Sequence, residues 1–207
     1  LMALGEPLPK KVFGHPWLLF GEDKMSKSKG NVLYADDLAR HFTVDGVRHY
    51  VLSEMPYASD GSITYESLIG RYNADLANNL GNLVKRTVDM TGKYFGGVIQ
   101  VPSAAEPIDD ELRAAVSDAV SRSREQMDSY HVADASETVF GLFRRANKYI
   151  DETTPWVLAK DESRRERLGT VLYNLLETIR IGAVLLEPFM PDTSKRILAQ
   201  LATDEHT

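Results

Sequence analysis

The sequence predicts a mainly α protein, an antiparallel helical bundle preceded by a small α/β segment. Three observations carry that expectation. Apolar residues recur at helical intervals from about residue 65 onward. Glycine and proline interrupt this pattern at spacings that leave loops of ordinary length. The first thirty residues instead hold short apolar runs between Gly14, Pro16 and Gly21.

Taken in order, Lys11–Phe13 and Trp17–Phe20 are expected as extended pieces, the second a strand ending in a loop at Gly21, Glu22 and Asp23. From Ala35 the period turns helical, with Leu38, Phe42, Val47, Val51 and Leu52 on recurring faces, and Pro56 stops that helix. Asp60 and Gly61 make a turn, Ser62 to Thr64 is briefly extended, and a long helix begins near Tyr65. Its inward face is Leu76, Leu80, Leu83, Thr87 and Met90. Phe95 to Ala105, with Gly96, Gly97 and Pro102, reads as a loop. Asp109 then caps a helix with Leu112, Val116, Ala119 or Val120, and Met127 inward; Asp134 caps another with Ala135, Val139, Leu142, Ala146 and Ile150 inward. Pro155 interrupts. Ser163 and Glu166 have capping-box spacing ahead of Leu168, Val171, Leu172, Leu175, Ile179 and Leu186, Pro188 ends that helix, and Asp192 to Leu201 is the last one. The expected division is 1–65, too short to bury a core of its own, and 66–207, the bundle.

Of 207 residues, 43% are apolar and 26% charged, the balance of a folded globular chain. No uninterrupted apolar run approaches the ~18 residues of a membrane span, so a transmembrane reading is set aside. The absence of cysteine excludes a thiol nucleophile, an iron–sulfur cluster, cysteine-ligated zinc and a disulfide framework, and it fits a reducing compartment. Five scattered histidines offer no ligand spacing, so no metal site is expected. The opening LMALGEPLPKK carries no export pattern and is compatible with a chain that begins inside a longer protein. A net charge of −6 argues against coating nucleic acid by charge alone. Its distribution is uneven: five lysines and three acids up to Asn31 leave +2 there and −8 over the rest.

That basic excess centres on Lys24, Met25, Ser26, Lys27, Ser28, Lys29, Gly30 and Asn31, directly after the expected strand. Ammonium groups are mobile point charges that can follow a polyphosphate as charge shifts to its leaving oxygens, and hydroxyls add directional hydrogen bonds. Met25 would plug the loop onto an apolar surface. On composition alone, a solvated charged turn is the alternative.

A second unusual feature is the row Asn78, Asn82 and Arg86, spaced by four on the side of the helix away from Leu80. Asparagine is a mediocre helix former, so several in mid-helix need another reason. An amide matches the edge of an unpaired base, and an adjacent guanidinium can stack or bind phosphate. The alternative is that Asn78 or Asn79 bonds a neighbouring helix. Trp156, after Pro155 at a break between helices, is either a core indole or a surface stacking platform.

The string KMSKS followed by KGN resembles the signature loop of class I aminoacyl-tRNA synthetases. In order, GHPWLLFGEDKMSKSKGN, DGVRHYVL, SDGSITYESLIGRYNADLANNLGNLVKR and TPWVLAK resemble the methionyl-tRNA synthetase family over nearly the whole chain. That resemblance implies that 1–65 is the end of a catalytic domain with its KMSKS loop and stem-contact segment, and that 66–207 is an α-helical anticodon-binding domain. It implies that Lys24 and Lys27 bind the triphosphate of ATP, used with Mg2+, and that Lys27 stabilises pyrophosphate as the methionine carboxylate attacks the α-phosphorus. Ser26 and Ser28 would shape and cap the loop, with Lys29 just outside the motif. Asn82 and Arg86, with Asn78 as a third, would read the CAU anticodon of the tRNA for methionine while Trp156 stacks on a base. A family member attaches methionine to tRNA through methionyl-adenylate in the cytoplasm. The HIGH-type motif, the methionine pocket and the zinc-bearing insertion are not among these residues, so the chain alone is expected to be inactive. Gly46 stands where the family more often has alanine and His49 replaces an aromatic, departures expected to loosen a helix without touching chemistry. The rival readings are a non-catalytic helical module that binds RNA or protein, and another class I synthetase, such as the leucine, isoleucine or valine enzyme. The TPW segment with NLGNLVKR favours methionine.

Overall fold

The structure, a computed structural model, describes residues 2–54 and 59–202. The expected stop at Pro56 lies outside them. The first body is a three-stranded sheet and one helix. Strands β1 (Leu18–Phe20) and β2 (Asp23–Lys24) form an antiparallel hairpin, and β3 (Gly61–Ile63) adds parallel to β1, giving the order β2-β1-β3. The hairpin turns at Gly21, whose φ of 62° is the left-handed conformation glycine tolerates. Lys11–Phe13 is not a strand. Its Phe13 ring stacks on Tyr130 at 5.0 Å and Lys11 Nζ lies 4.4 Å over the same ring, so these side chains bind to the bundle instead of pairing in the sheet.

Helix α1 (Ala35–Glu54) covers the sheet and closes a small core of Leu38, Val47, Tyr50, Ile63 and Leu68, with Met25 at its edge. The segment was expected to bury no core of its own. It buries one by borrowing Leu68 from α2 (Tyr65–Arg71), beyond residue 65. Helix α1 is broken at Thr43 (φ 63°, ψ 160°), a strained backbone for a β-branched residue, and Thr43 Oγ1 accepts the Gly46 N–H at 3.2 Å to cap the second half. The apolar period runs across this break and hides it.

Gly46 and His49 do not loosen the helix. A Cβ at Gly46 would lie 2.8 Å from the Tyr72 ring, so the missing side chain is what lets two helices approach. His49 is buried against Phe140, and its Nε2 meets Asp75 Oδ2 at 3.0 Å. Arg71 joins Asp75 at 3.4 Å and reaches on to Glu54.

The long helix from Tyr65 is continuous but not uniform. A π-helical segment, Tyr72–Gly81, separates α2 from α3 (Asn82–Phe95). Thr64 caps its start by accepting the Ser67 N–H at 3.0 Å. At the far end of the π segment the Asn82 N–H reaches back five residues to the Ala77 carbonyl. A Cβ at Gly81 would lie 2.9 Å from the Leu76 carbonyl oxygen, so this wide turn closes only on glycine.

The bundle adds α4 (Pro107–Asp128), α5 (Val132–Thr153), the short α6 (Pro155–Leu158), α7 (Arg165–Leu186) and α8 (Pro191–Gln200). Leu83, Leu112, Phe140, Phe143, Val171 and Ile179 are among its core side chains. The expected inward residues of α5 and α7 are buried. Met127 is not: it is exposed and Ser123 is buried, because the last turn of α4 runs past the core to Tyr130. The caps also differ from expectation. Glu106 is the N-cap of α4, and Asp109 is the third helical residue, its Oδ2 accepting the Glu106 N–H at 3.0 Å. His131 stands at the α5 cap with Asp134 in the first turn, 3.1 Å from His131 Nδ1. Asp161, not Ser163, caps the 3-10 turn ahead of α7, accepting the Ser163 N–H at 3.0 Å.

Asp109 moves inward because it is the hub of a buried clamp. Arg167 of α7 donates to both its oxygens, at 2.6 and 2.9 Å, and the Tyr149 hydroxyl of α5 donates at 2.5 Å. Burial by itself raises the Asp109 pKa, but these donors outweigh it and hold the carboxyl below its ordinary value. Burial also pushes the Tyr149 phenol up, so it stays a donor. Helix α1 is latched to the end of the bundle as well. Asp45 Oδ2 accepts the Thr193 N–H in the first turn of α8 at 2.5 Å, and Arg48 donates to the Pro188 and Phe189 carbonyls at 2.8 and 3.0 Å.

Among the described residues one helical stretch, Glu162–Leu186, is long and apolar enough to cross a membrane by length and composition. Counting uninterrupted runs passes over it, because Arg167, Asn174 and Arg180 punctuate it. Of its most apolar window 61% is buried inside the protein, as befits a core helix.

Candidate functional site

Two constellations emerge, one on each body. The lysine loop follows β2, on which Lys24 sits. Met25 packs on the small core, as expected of a plug. Lys27–Lys29 form a single 3-10 turn, closed by the Lys29 N–H to the Ser26 carbonyl at 3.1 Å and ended by Gly30 at φ 68°. The two serine hydroxyls bond each other at 2.8 Å. Lys24, Lys27 and Lys29 are exposed; Lys24 Nζ lies 4.7 Å from the Trp17 ring and Lys29 pairs with Asp23 at 3.5 Å. The cations are therefore solvated and held on the rim of a turn whose backbone is fixed beneath them. Such an array suits an extended polyanion.

One residue of the loop, named in the sequence without a role, has one in the structure. Asn31 reaches across the mouth of the loop, its Oδ1 accepting the Ser26 N–H at 2.8 Å and its Nδ2 donating to the Lys24 carbonyl at 3.2 Å. The available signal was its place immediately after Gly30, where a left-handed turn sends the chain back toward the loop's start.

The second constellation lies on α3 and α6. Asn78 and Asn82 are exposed and Arg86 is half-buried. The Arg86 guanidinium sits 5.7 Å from the Trp156 ring and 3.4 Å from Asp151, so two residues seventy positions apart in sequence become neighbours. Trp156 is 39% exposed, an indole on the surface rather than in the core. Thr154, at φ 44°, and Pro155 turn the chain there and bury the proline beneath it. The hydrogen-bonding alternative for the asparagines falls to Asn79 alone: buried, it donates to the Phe140 carbonyl at 3.2 Å and accepts from Asn147 at 3.0 Å. The π segment changes the geometry of the row. A four-residue step aligns Asn82 with Arg86 along α3, whereas Asn78 lies inside the wider turns before that helix begins. Asp151, which holds Arg86, had no sequence signal. Among the described residues no group of three His, Asp or Glu side chains is placed to hold a metal ion.

Two family models match the chain. Residues 1–88 match the family described as tRNA synthetases class I (M), and residues 101–207 match the anticodon binding domain of methionyl tRNA ligase. The methionine–tRNA ligase of Clostridium perfringens is 55% identical over 203 residues, covering 98% of this chain and 32% of the relative. That of Enterococcus faecalis is 46% identical over 208 residues, covering 100% of this chain and 31% of the relative. Mycobacterium tuberculosis methionyl-tRNA synthetase in complex with methionyl-adenylate superposes with a TM-score of 0.92 at 36% identity, over 98% of this chain and 40% of that one. The chain thus spans about a third of the length of the curated relatives it matches. With a class I synthetase segment followed by the matching anticodon-binding bundle, the chain belongs to the methionyl-tRNA ligase family.

Proposed function

We propose that this chain is the tRNA-reading part of a methionine–tRNA ligase, and that it also supplies the loop that manages the triphosphate of ATP. The parent enzyme joins methionine to ATP as methionyl-adenylate and passes it to the tRNA bearing CAU. In that reaction Lys24 and Lys27 bind the phosphates. Lys27 strengthens its contact as negative charge builds on the departing pyrophosphate, so its effect falls on the transition state. Ser26 and Ser28 hold the turn that carries Lys27. Mg2+ belongs to the ATP, whose phosphates it screens in the parent. The pocket for adenine and methionine lies in the part of the parent beyond this chain, which by itself catalyses no adenylate formation.

The observation that carries the RNA-reading half is the contact of Arg86 with the exposed Trp156, with exposed Asn82 one turn before Arg86 on α3. An indole face, a guanidinium and an amide supply stacking, phosphate or base contact, and a donor–acceptor pair for a base edge. Asn82 discriminates and Trp156 anchors. Titration of a CAU hairpin and an altered hairpin tests the division of labour. Asn82→Ala should weaken the cognate hairpin by about 1–3 kcal/mol and narrow its advantage, with little change in melting. Trp156→Ala should weaken both hairpins by a similar amount, because stacking tolerates any base. An Asn82→Ala variant that melts lower and keeps its RNA affinity makes that asparagine a structural bond and ends the assignment. The net charge of −8 outside the loop segment adds a second expectation, a gentle fall of cognate affinity with salt.

A further inference from the structure

The lysine loop has two kinds of residue: those that present charge and those that fix the backbone from which the charge is presented. Lys24 and Lys27 are exposed, with long flexible stems, so their own side chains do little to place them. The backbone beneath is another matter. Within 24–31 the Lys29 and Gly30 amides close the 3-10 turn on the Ser26 and Lys27 carbonyls, but those bonds are internal to the turn and do not attach it to β2. One exposed ion pair, Lys29 with Asp23 of β2 at 3.5 Å, joins side chains across the gap, and the Asn31 side chain makes the attachment to the backbone. Its acceptor takes the Ser26 N–H at the entrance of the turn and its donor takes the Lys24 carbonyl at the end of β2, so one amide spans both sides of Met25. Met25 is meanwhile seated on the small core. The loop is thereby a closed ring, pinned to the protein through Met25 and latched by Asn31, with Lys27 at the head of the turn.

From this we infer that Asn31 is a positioning residue for adenylate formation, acting through Lys27: its amide sets the backbone position from which Lys27 meets the leaving pyrophosphate. The inference rests on the proposed role of the loop and deepens it. The chemistry requires both functions of an amide. A carboxylate keeps the acceptor for Ser26 but loses the donor and faces the Lys24 carbonyl, an alanine loses both, and a glutamine is one methylene too long for the gap. Because the lysine charges remain, ground-state attraction of ATP survives the loss of the latch. What suffers is alignment at the moment of bond breaking, where a displacement of about 1 Å can cost about 10²-fold.

The test is a double-mutant cycle in the full-length parent, read by methionine-dependent ATP–pyrophosphate exchange. Lys27→Ala, Asn31→Ala and the double variant are compared with the parent; Asn31→Asp, acceptor-only against the Lys24 carbonyl, should be as slow as Asn31→Ala, and Asn31→Ser supplies a partial repair. Asn31→Ala should lower kcat by roughly 10- to 100-fold with KM for ATP and methionine within about twofold, and the double variant should be no slower than Lys27→Ala alone. Asn31→Ser, which retains a short donor and acceptor, should recover part of the rate. Tryptic cleavage between residues 24 and 29, followed by mass spectrometry, should speed up in Asn31→Ala, a readout that needs no activity. Losses that multiply in the double variant would show that Asn31 acts independently of Lys27 and overturn the inference, as would an Asn31→Ala enzyme with an unchanged kcat. A fall in melting temperature that accounts for the lost activity would make Asn31 a folding staple and overturn it too. If Lys27→Ala itself leaves exchange untouched, the failure belongs to the proposed role of the loop, not to the latch.

Discussion

The hydrogen bonds that shape the lysine loop run between residues 23 and 31, whereas Trp156 on α6 meets Arg86 of α3, which in turn pairs with Asp151 of α5. The loop is a local device: a short hairpin, one turn of 3-10 helix, a left-handed glycine and an amide latch. The Trp156 end is a product of the whole bundle. Tyr149 lies on the last turns of α5, and the clamp of Asp109 and Arg167 fixes it between α4 and α7 just before the chain turns at Thr154 and Pro155. The difference teaches where damage should spread. A change in the loop should stay in the loop, and a change deep in the bundle should reach the indole on its surface.

The largest expected effect breaks the clamp. Arg167→Ala leaves the fully buried Asp109 without its bidentate partner and should destabilise the chain by about 3–5 kcal/mol, measured by urea unfolding. Hairpin affinity should fall with it, while tryptic cleavage within 24–29 stays at the parent rate under conditions where the variant is folded. Replacing Arg167 with Met and Asp109 with Leu together should return much of the stability, since neither charge is then stranded. Faster loop cleavage in folded Arg167→Ala would dissolve the contrast between the two regions.

The next effect comes from the other side. Lys27→Ala in the full-length parent should slow adenylate formation by about 10²- to 10³-fold with methionine affinity nearly unchanged. The melting temperature and CAU hairpin binding should not move. An equal loss in methionine binding would mean the loop is a structural element of the active site.

The smallest expected effect concerns acid. Burial raises the pKa of Asp75, but the bonds and charges of His49 and Arg71 outweigh it, so both Asp75 and Asp109 titrate below the ordinary carboxylate value. Their folded pKa values are depressed, so their stabilisation is complete above the unfolded value of about 3.9 and is lost as pH falls through the folded values. Melting temperature should be level from about pH 7 to 5 and decline below about pH 4. Asp109→Asn should flatten part of that decline, and Asp75→Asn another part. A decline that begins above pH 6 would assign it to histidine instead.

The sequence made the loop legible because its parts are consecutive: KMSKSKGN sets three cations and two hydroxyls in one turn after a strand, whatever it touches. It made the helices of the bundle legible too, since Ala135, Val139, Leu142, Ala146 and Ile150 keep the period of a buried face. Caps were less legible. Asp109 has the right chemistry for an N-cap, but a guanidinium fifty-eight residues away draws it into the core, and only the tertiary structure reveals the competition. The π segment was invisible for a related reason: a period of 3.6 and a wider turn place Leu76 and Leu80 inward equally well over so short a stretch. Asn79 and Asn78 are adjacent and chemically identical, and the positions of Asn147 and the Phe140 carbonyl separate the structural one from the exposed one. Asp151 beside Arg86 is of the same kind.

The latch between α1 and the end of the bundle has a kinetic meaning. Asp45 waits for the Thr193 amide, 148 residues later, and Arg48 for carbonyls 140 and 141 residues later. Loops of that span close slowly and late, after the local helices have formed. On a ribosome the sheet body can assemble early, yet Asp45 has no amide to accept from and Arg48 no carbonyls to donate to until residues 188–193 have been made. Because α1 also packs on α5 through His49 and Phe140, the two bodies can dock before α8 forms, and a chain ending before residue 188 should keep that contact while losing the Asp45 and Arg48 bonds that fasten the far end of the bundle.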